Sequence, residues 1–152
     1  MTNETTHLKG RAIITLSRPD GTTEVRKQDN LITNAGFDFL CNAIASPTRP
    51  NAMNYTAVGT GTTAPSAAQT ALAKELTRKA ATYAHTSGTK ELTLTTTFGA
   101  GEATGAITEA GIVNASSGGT LFDRVTFAVI NKGAQDELDG SPHCRIPQPL
   151  GK

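Results

Sequence analysis

Gly59-Thr60-Gly61-Thr62-Thr63-Ala64 has the spacing GxGxxA and follows a short apolar run. In dinucleotide-binding proteins such glycines let the backbone approach a pyrophosphate, whose charge meets the amide N–H groups of a helix starting at the loop. Here Pro65 and Ser66 delay any helix, and threonines put branched side chains beside the glycines. No acidic residue marks the end of a second strand about 20 residues on, as a ribose-binding partner would require. The pattern therefore favours a shaped loop at a sheet edge over a nucleotide site, and no GxxxxGK[ST] run occurs.

The other residue types that could do chemistry are scattered. His7, His85 and His143 are isolated, and no HxxxH, CxxC or HExxH spacing occurs, so a metal site would have to be assembled from distant residues. His143 and Cys144 are adjacent, which points their side chains apart in an extended chain. No GxSxG elbow exists. A Cys41–His85 dyad is conceivable, but Cys41 falls on a helical stripe expected to be buried. Glu102 and Glu109 flank a glycine loop and could in principle form an acid–base pair. Nothing else marks a pocket there, and a chain with no Trp and 2 Tyr has little to stack on a sugar. Glu75, Arg78, Glu109, Arg124 and Lys132 lie in or beside strand candidates, where charges more often pair across strands or rim an interface. No residue is assigned a catalytic, cofactor-binding or metal-binding role, and no cofactor is expected.

Composition narrows the class. The 152 residues carry 14 basic and 13 acidic side chains, a formal charge of +1. That argues against a nucleic-acid binder, which normally shows a basic excess. Arg78-Lys79 and Lys9 are too sparse for a phosphate-tracking groove. Hydrophobic residues make up 37% and aromatics 5%, which predicts a folded domain with a thin core. Abundant Thr and 15 Gly point to pleated strands and many loops. No apolar run is long enough to span a bilayer. Met1 to Gly10 is polar, with no signal-peptide core, which leads us to expect assembly in a reducing cytoplasm and no membrane partner. Cys41 and Cys144 cannot make a framework of several disulfides. Cys41 is expected to be a buried thiol, and one bridge between the two remains open.

Alternation places the elements that must position these residues. Arg11–Arg18 is a strand with Ala12, Ile14 and Leu16 on one face. Pro19-Asp20-Gly21 is a turn, and Thr22–Ile32 resumes extended, making a hairpin. Asn34 can cap a helix from Ala35 to about Ala45. Phe37, Leu40, Cys41 and Ile44 fall at i, i+3, i+4 and i+7, a stripe expected to cover the sheet. Asn54–Val58 is a short strand. Residues 67–83 are ambiguous between helix and strand; a helical turn near 66–73 and then a strand over Glu75–His85 is expected, with Thr86-Ser87-Gly88-Thr89 as a hairpin turn. Lys90–Phe98, Ala106–Asn114 (with Gly111 as a candidate bulge) and Leu121–Ile130 complete the strands. In the last, Leu121, Asp123, Val125, Phe127 and Val129 share a face. The expected fold is mainly β, an antiparallel β-sandwich of jelly-roll type with one amphipathic helix inserted after the first hairpin. Residues 1–9 are expected to be a flexible arm, 10–138 a single domain, and 139–152 an extended or disordered tail.

Taken together, several segments resemble a family of small tailed-bacteriophage virion proteins of the tail-fibre, collar or appendage type. They are Asn30–Phe37, Ala57–Pro65 (AVGTGTTAP), Thr70-Ala71-Leu72 with Glu75, Thr97–Ala103, Ile107–Ile112 (ITEAGI), Gly119-Thr120-Leu121, Arg124–Phe127 (RVTF) and Ile130-Asn131-Lys132. The resemblance spans about residues 10–138. It implies a non-enzymatic, β-rich particle component that is homo-oligomeric and binds other virion proteins in the tail, collar or fibre-attachment region. A capsid decoration protein on the phage head is the alternative, and a small nucleotide-binding enzyme using residues 59–64 is a third reading. The resemblance also implies a closing strand after Ile130-Asn131-Lys132. The Pro-rich sequence here suggests that this strand is missing or replaced, with the tail on a neighbour, the edge completed by another chain, or the reading frame changed near Leu138.

Overall fold

A computed structural model describes residues 8–145. β1 (Lys9–Ser17) and β2 (Thr23–Ile32) form the expected antiparallel hairpin. Its turn works because Gly21 takes φ +89°, a left-handed conformation that glycine adopts without strain. Asp20 Oδ1 accepts from the Thr22 N–H at 2.9 Å and from its hydroxyl at 2.6 Å. After the hairpin come α1 (Asn34–Ala45), β3 (Tyr55–Gly59), β4 (Glu75–Ala80), β5 (Thr82–His85), β6 (Glu91–Phe98), β7 (Gly105–Val113), β8 (Leu121–Lys132) and β9 (Glu137–Arg145).

The strands form one antiparallel nine-stranded sheet in the order β4-β3-β7-β8-β2-β1-β9-β6-β5. Its two edge strands, β4 and β5, are consecutive in the chain and separated by Ala81 alone. The sheet must therefore curl until its edges nearly meet, which gives an almost barrel-like shape. Thr96 on β6 donates to Thr56 on β3 across the interior at 2.8 Å, though these strands are not neighbours in the sheet. Ala12, Ile14, Leu16, Val58, Phe98, Ile107, Val125 and Ile130 belong to the main core cluster. Small and branched side chains suffice because the curled walls lie close together.

Several expectations need correction. The strand expected over Glu75–His85 is two strands on opposite edges, and the expected helical turn near 66–73 is a single turn in which the Gln69 N–H bonds the Ser66 carbonyl at 3.1 Å. Propensity carried no sign of the break at Ala81, where the N–H turns to the Asn54 carbonyl at 2.8 Å.

The tail boundary at 138 falls inside β9, which pairs with β1 on one side and β6 on the other. A closing strand is thus present. Pro142 is tolerated because the ladder to β6 is interrupted at Ser141 and Pro142, where proline has no N–H to give. Lys9, assigned to the arm, opens β1. The rest of the expected arm up to residue 7, and the tail from 146 onward, lie outside the described residues.

The helix cap is Thr33, whose hydroxyl accepts from the Gly36 N–H at 2.9 Å and donates to the Leu121 carbonyl at 2.7 Å. Gly36 is buried, and a Cβ there would stand 2.3 Å from the Phe122 carbonyl oxygen. This close approach sets which side of α1 faces the sheet. Phe39 and Leu40 pack inward, with Phe39 edge-on to Phe122 at 6.3 Å between ring centroids. Cys41 is exposed, and Phe37 and Ile44 are 49% and 75% exposed. Most of the stripe expected to be buried therefore faces out.

The irregularities in the β7–β8 ladder fall between Ile107 and Glu109 and between Ile112 and Val113, not at Gly111. The first shifts the phase of β8, so Val129 is exposed and Ile130 buried. Arg26 donates to the freed Ala128 and Val129 carbonyls, each at 3.1 Å.

Candidate functional site

The glycine loop leaves β3 at Gly59 and returns to β4 at Glu75. Its backbone does approach an anion, but the anion belongs to the protein. Glu109 on β7 is fully buried, and one of its oxygens accepts from the Lys74 N–H at 2.7 Å and the Gly61 N–H at 3.1 Å. The other accepts from the Ala73 N–H at 3.0 Å and from Arg124 Nε at 2.8 Å. A Cβ at Gly59 or Gly61 would lie 2.5 or 2.6 Å from a Glu109 oxygen. The glycines are thus required by the carboxylate together with the returning chain, since the Lys74 carbonyl oxygen would stand 2.3 Å from a Cβ at Gly59 and Ala73 Cβ 2.5 Å from one at Gly61, and the space a phosphate would take beside them is filled.

Arg124 on β8 completes the cluster and is also fully buried. Nη1 donates to the Thr63 carbonyl at 2.7 Å and to the Gln69 side-chain oxygen at 3.2 Å. Nη2 lies 2.8 Å from the Glu109 carboxylate, but not at a hydrogen-bonding angle, and makes no other bond. Thr108 adds a bond to the Gly61 carbonyl at 2.8 Å. Burial pushes the Glu109 carboxyl up, but the Lys74 amide, Arg124 and the Ala73 and Gly61 amides outweigh it and hold the acid below its usual range. Glu109 therefore stays ionised, and its oxygens serve to hold the loop.

The remaining candidates are not brought together. Glu102 is exposed, accepting from Lys79 Nζ at 2.8 Å and from the Gly99 N–H at 2.9 Å, so it shares no partner with Glu109. Those two contacts lower its carboxyl. His85 Nδ1 donates to the Glu91 carbonyl at 2.6 Å, while Cys41 sits on the outer side of α1, so no dyad forms. His143 Nδ1 lies 2.7 Å from the Glu91 carboxylate. Cys41 and Cys144 are both free thiols. His7 lies outside the described residues. Arg78 pairs with Glu75 and donates to the Ala115 and Gly118 carbonyls. Lys132 Nζ donates to the Gly99 carbonyl at 2.9 Å, and burial lowers its pKa. Among the described residues, no three His, Cys, Asp or Glu side chains gather as a metal-ligating group.

Two features escaped the sequence reading. Asp123 is 2% exposed. It accepts from Asn30 Nδ2 at 2.7 Å and from the Ile112 N–H at 3.1 Å. Burial pushes its carboxyl up to about 6 despite those two bonds. Its place between Leu121 and Val125 on one face of an apolar strand was a visible signal that it points inward. The second feature is an apolar cavity of about 340 Å3 between α1 and the sheet. It is walled by Phe39 and Leu40 of α1, by Met53, and by Leu94, Ile112 and Phe122. No local pattern could reveal it, because its walls come from distant parts of the chain.

Comparison with known protein families, with curated proteins and with solved structures finds no match.

Proposed function

We propose that this chain is a non-enzymatic structural component of a tailed-bacteriophage virion, in the tail, collar or fibre-attachment region, acting by docking to copies of itself and to other virion proteins. The observation that carries the proposal is the Glu109–Arg124 cluster. Gly61, Thr63, Glu109 and Arg124, four residues from the segments that carry the family resemblance, meet in one hydrogen-bonded unit, and Gly59 leaves room for its carboxylate. Their chemistry is used to fix a loop on the sheet. That is the expected use of such residues in a building module; the one donor without a hydrogen bond, Arg124 Nη2, is fully buried against the Glu109 carboxylate, where a substrate does not reach it.

Exposed apolar side chains favour docking as the mode of action. Phe37, Cys41 and Ile44 line the outer side of α1, and such patches mark contact surfaces when they cluster. For the finer architecture we infer a jelly-roll-like sandwich, with the β4-β3-β7-β8 half stacked on the half that ends in β6 and β5. The Thr96–Thr56 bond between the two halves supports it.

Electron cryomicroscopy of intact particles carrying the chain tests the location: density on the tail, collar or fibre base is expected, and density on capsomers alone would move the assignment to head decoration. Light scattering tests self-association, and a stable monomer at high concentration would refute it.

A further inference from the structure

We infer that the apolar cavity between α1 and the sheet is a binding site for an amphipathic organic anion, an aliphatic carboxylate whose chain enters the cavity and whose head meets Arg49. This goes beyond the virion reading and stands or falls without it. The volume of about 340 Å3 lies within the roughly 300–1,000 Å3 of small-molecule sites. The inner walls are Phe39 and Leu40 on one side and Leu94, Ile112 and Phe122 on the other. A ligand body with polar groups along its length would lose its water there without gaining partners, so the part that enters must be hydrocarbon.

The head group follows from the charge. Among the described residues, Arg49 is the only charged one in the lining. It engages no carboxylate among the described residues. Tyr83, 62% exposed, contributes a phenol to the lining. Cys144, also in the lining, has its thiol pushed up to about 11 by burial and the nearby Asp123, so it is neutral and does not repel an anion. A guanidinium beside an apolar cavity selects a carboxylate head by charge-assisted hydrogen bonding.

The test is calorimetric titration of the full chain with decanoate, with decanol as the uncharged control. Saturable one-to-one binding of decanoate and a raised melting temperature are expected. Arg49→Gln is expected to weaken decanoate about tenfold and leave decanol unchanged. Ala43→Phe, which fills the cavity from α1, is expected to abolish binding of both; Ala52→Phe does the same from the loop if the first variant fails to fold. No saturable binding of decanoate at millimolar concentration would overturn the inference. So would equal binding before and after Arg49→Gln, or binding that persists in a folded cavity-filling variant.

Discussion

Glu109→Ala is the sharpest test of how the glycine loop is held. The substitution removes four acceptor contacts at once, from the Gly61, Ala73 and Lys74 amides and from Arg124 Nε. It leaves Arg124 fully buried with its positive charge uncompensated. Breaking a buried ion pair from one side costs about 3–5 kcal/mol, and each orphaned buried donor adds to that. Against a total stability of about 5–15 kcal/mol for a domain, the loss is about a fifth or more. In a chain of this length it should lower the melting temperature by about 10 °C or more. Urea titration measures the loss, and amide exchange at Ala73 and Lys74 localises it, since those N–H groups should exchange faster while β1 and β9 amides stay protected relative to them. The double variant Glu109→Leu, Arg124→Met removes both charges and should cost clearly less than the two single changes summed. A loss below about 1 kcal/mol for Glu109→Ala, or simple additivity in the double variant, would refute the idea that this pair holds the loop.

Further expectations follow from the same geometry. Gly61→Ala puts a Cβ 2.6 Å from the Glu109 carboxylate and 2.5 Å from Ala73 Cβ, so it should destabilise by about 1–3 kcal/mol in urea melts, as overpacking does. Asp123 has its folded pKa raised from 3.8 to about 6, so ionising it opposes folding. The penalty is absent below the unfolded value, grows as pH rises toward 6, and amounts to about 3 kcal/mol at about 1.4 kcal/mol for each unit of pH. Asp123→Asn should therefore be more stable than the parent at pH 7, and urea melts across pH 4–7 should lose the contribution that falls with rising pH; a turned Asn30 amide can then use its unpartnered oxygen. Glu109 works with the opposite sign: its lowered pKa contributes stability that is complete above the ordinary carboxylate value and is lost as pH falls through the folded one. Ile44→Gln, at a position 75% exposed, should change stability by less than about 0.5 kcal/mol, whereas Phe122→Ala should cost about 3–5 kcal/mol; a large loss for Ile44→Gln would restore the buried-stripe reading.

What the sequence determined by itself was local. Alternation in Ala12, Ile14 and Leu16, the Pro19-Asp20-Gly21 turn and the run from Leu121 encoded strands and a hairpin, because a strand's faces and a turn's backbone angles depend on a few neighbouring residues. A helix near residues 34–45 was legible for the same reason. The face that α1 buries was not, because a glycine meeting the Phe122 carbonyl outweighs the periodicity of its apolar residues. The split at Ala81 and the strand over residues 137–145 depend on which distant strands offer partners, and Pro142 is acceptable only because of where the β6 ladder breaks. The tertiary structure alone decided what the glycines at 59 and 61 are for. Their spacing pointed to a shaped loop at a sheet edge and not to an anion; only the fold, by bringing Glu109 across 48 residues to Gly61, shows that the loop closes on a carboxylate from within the chain.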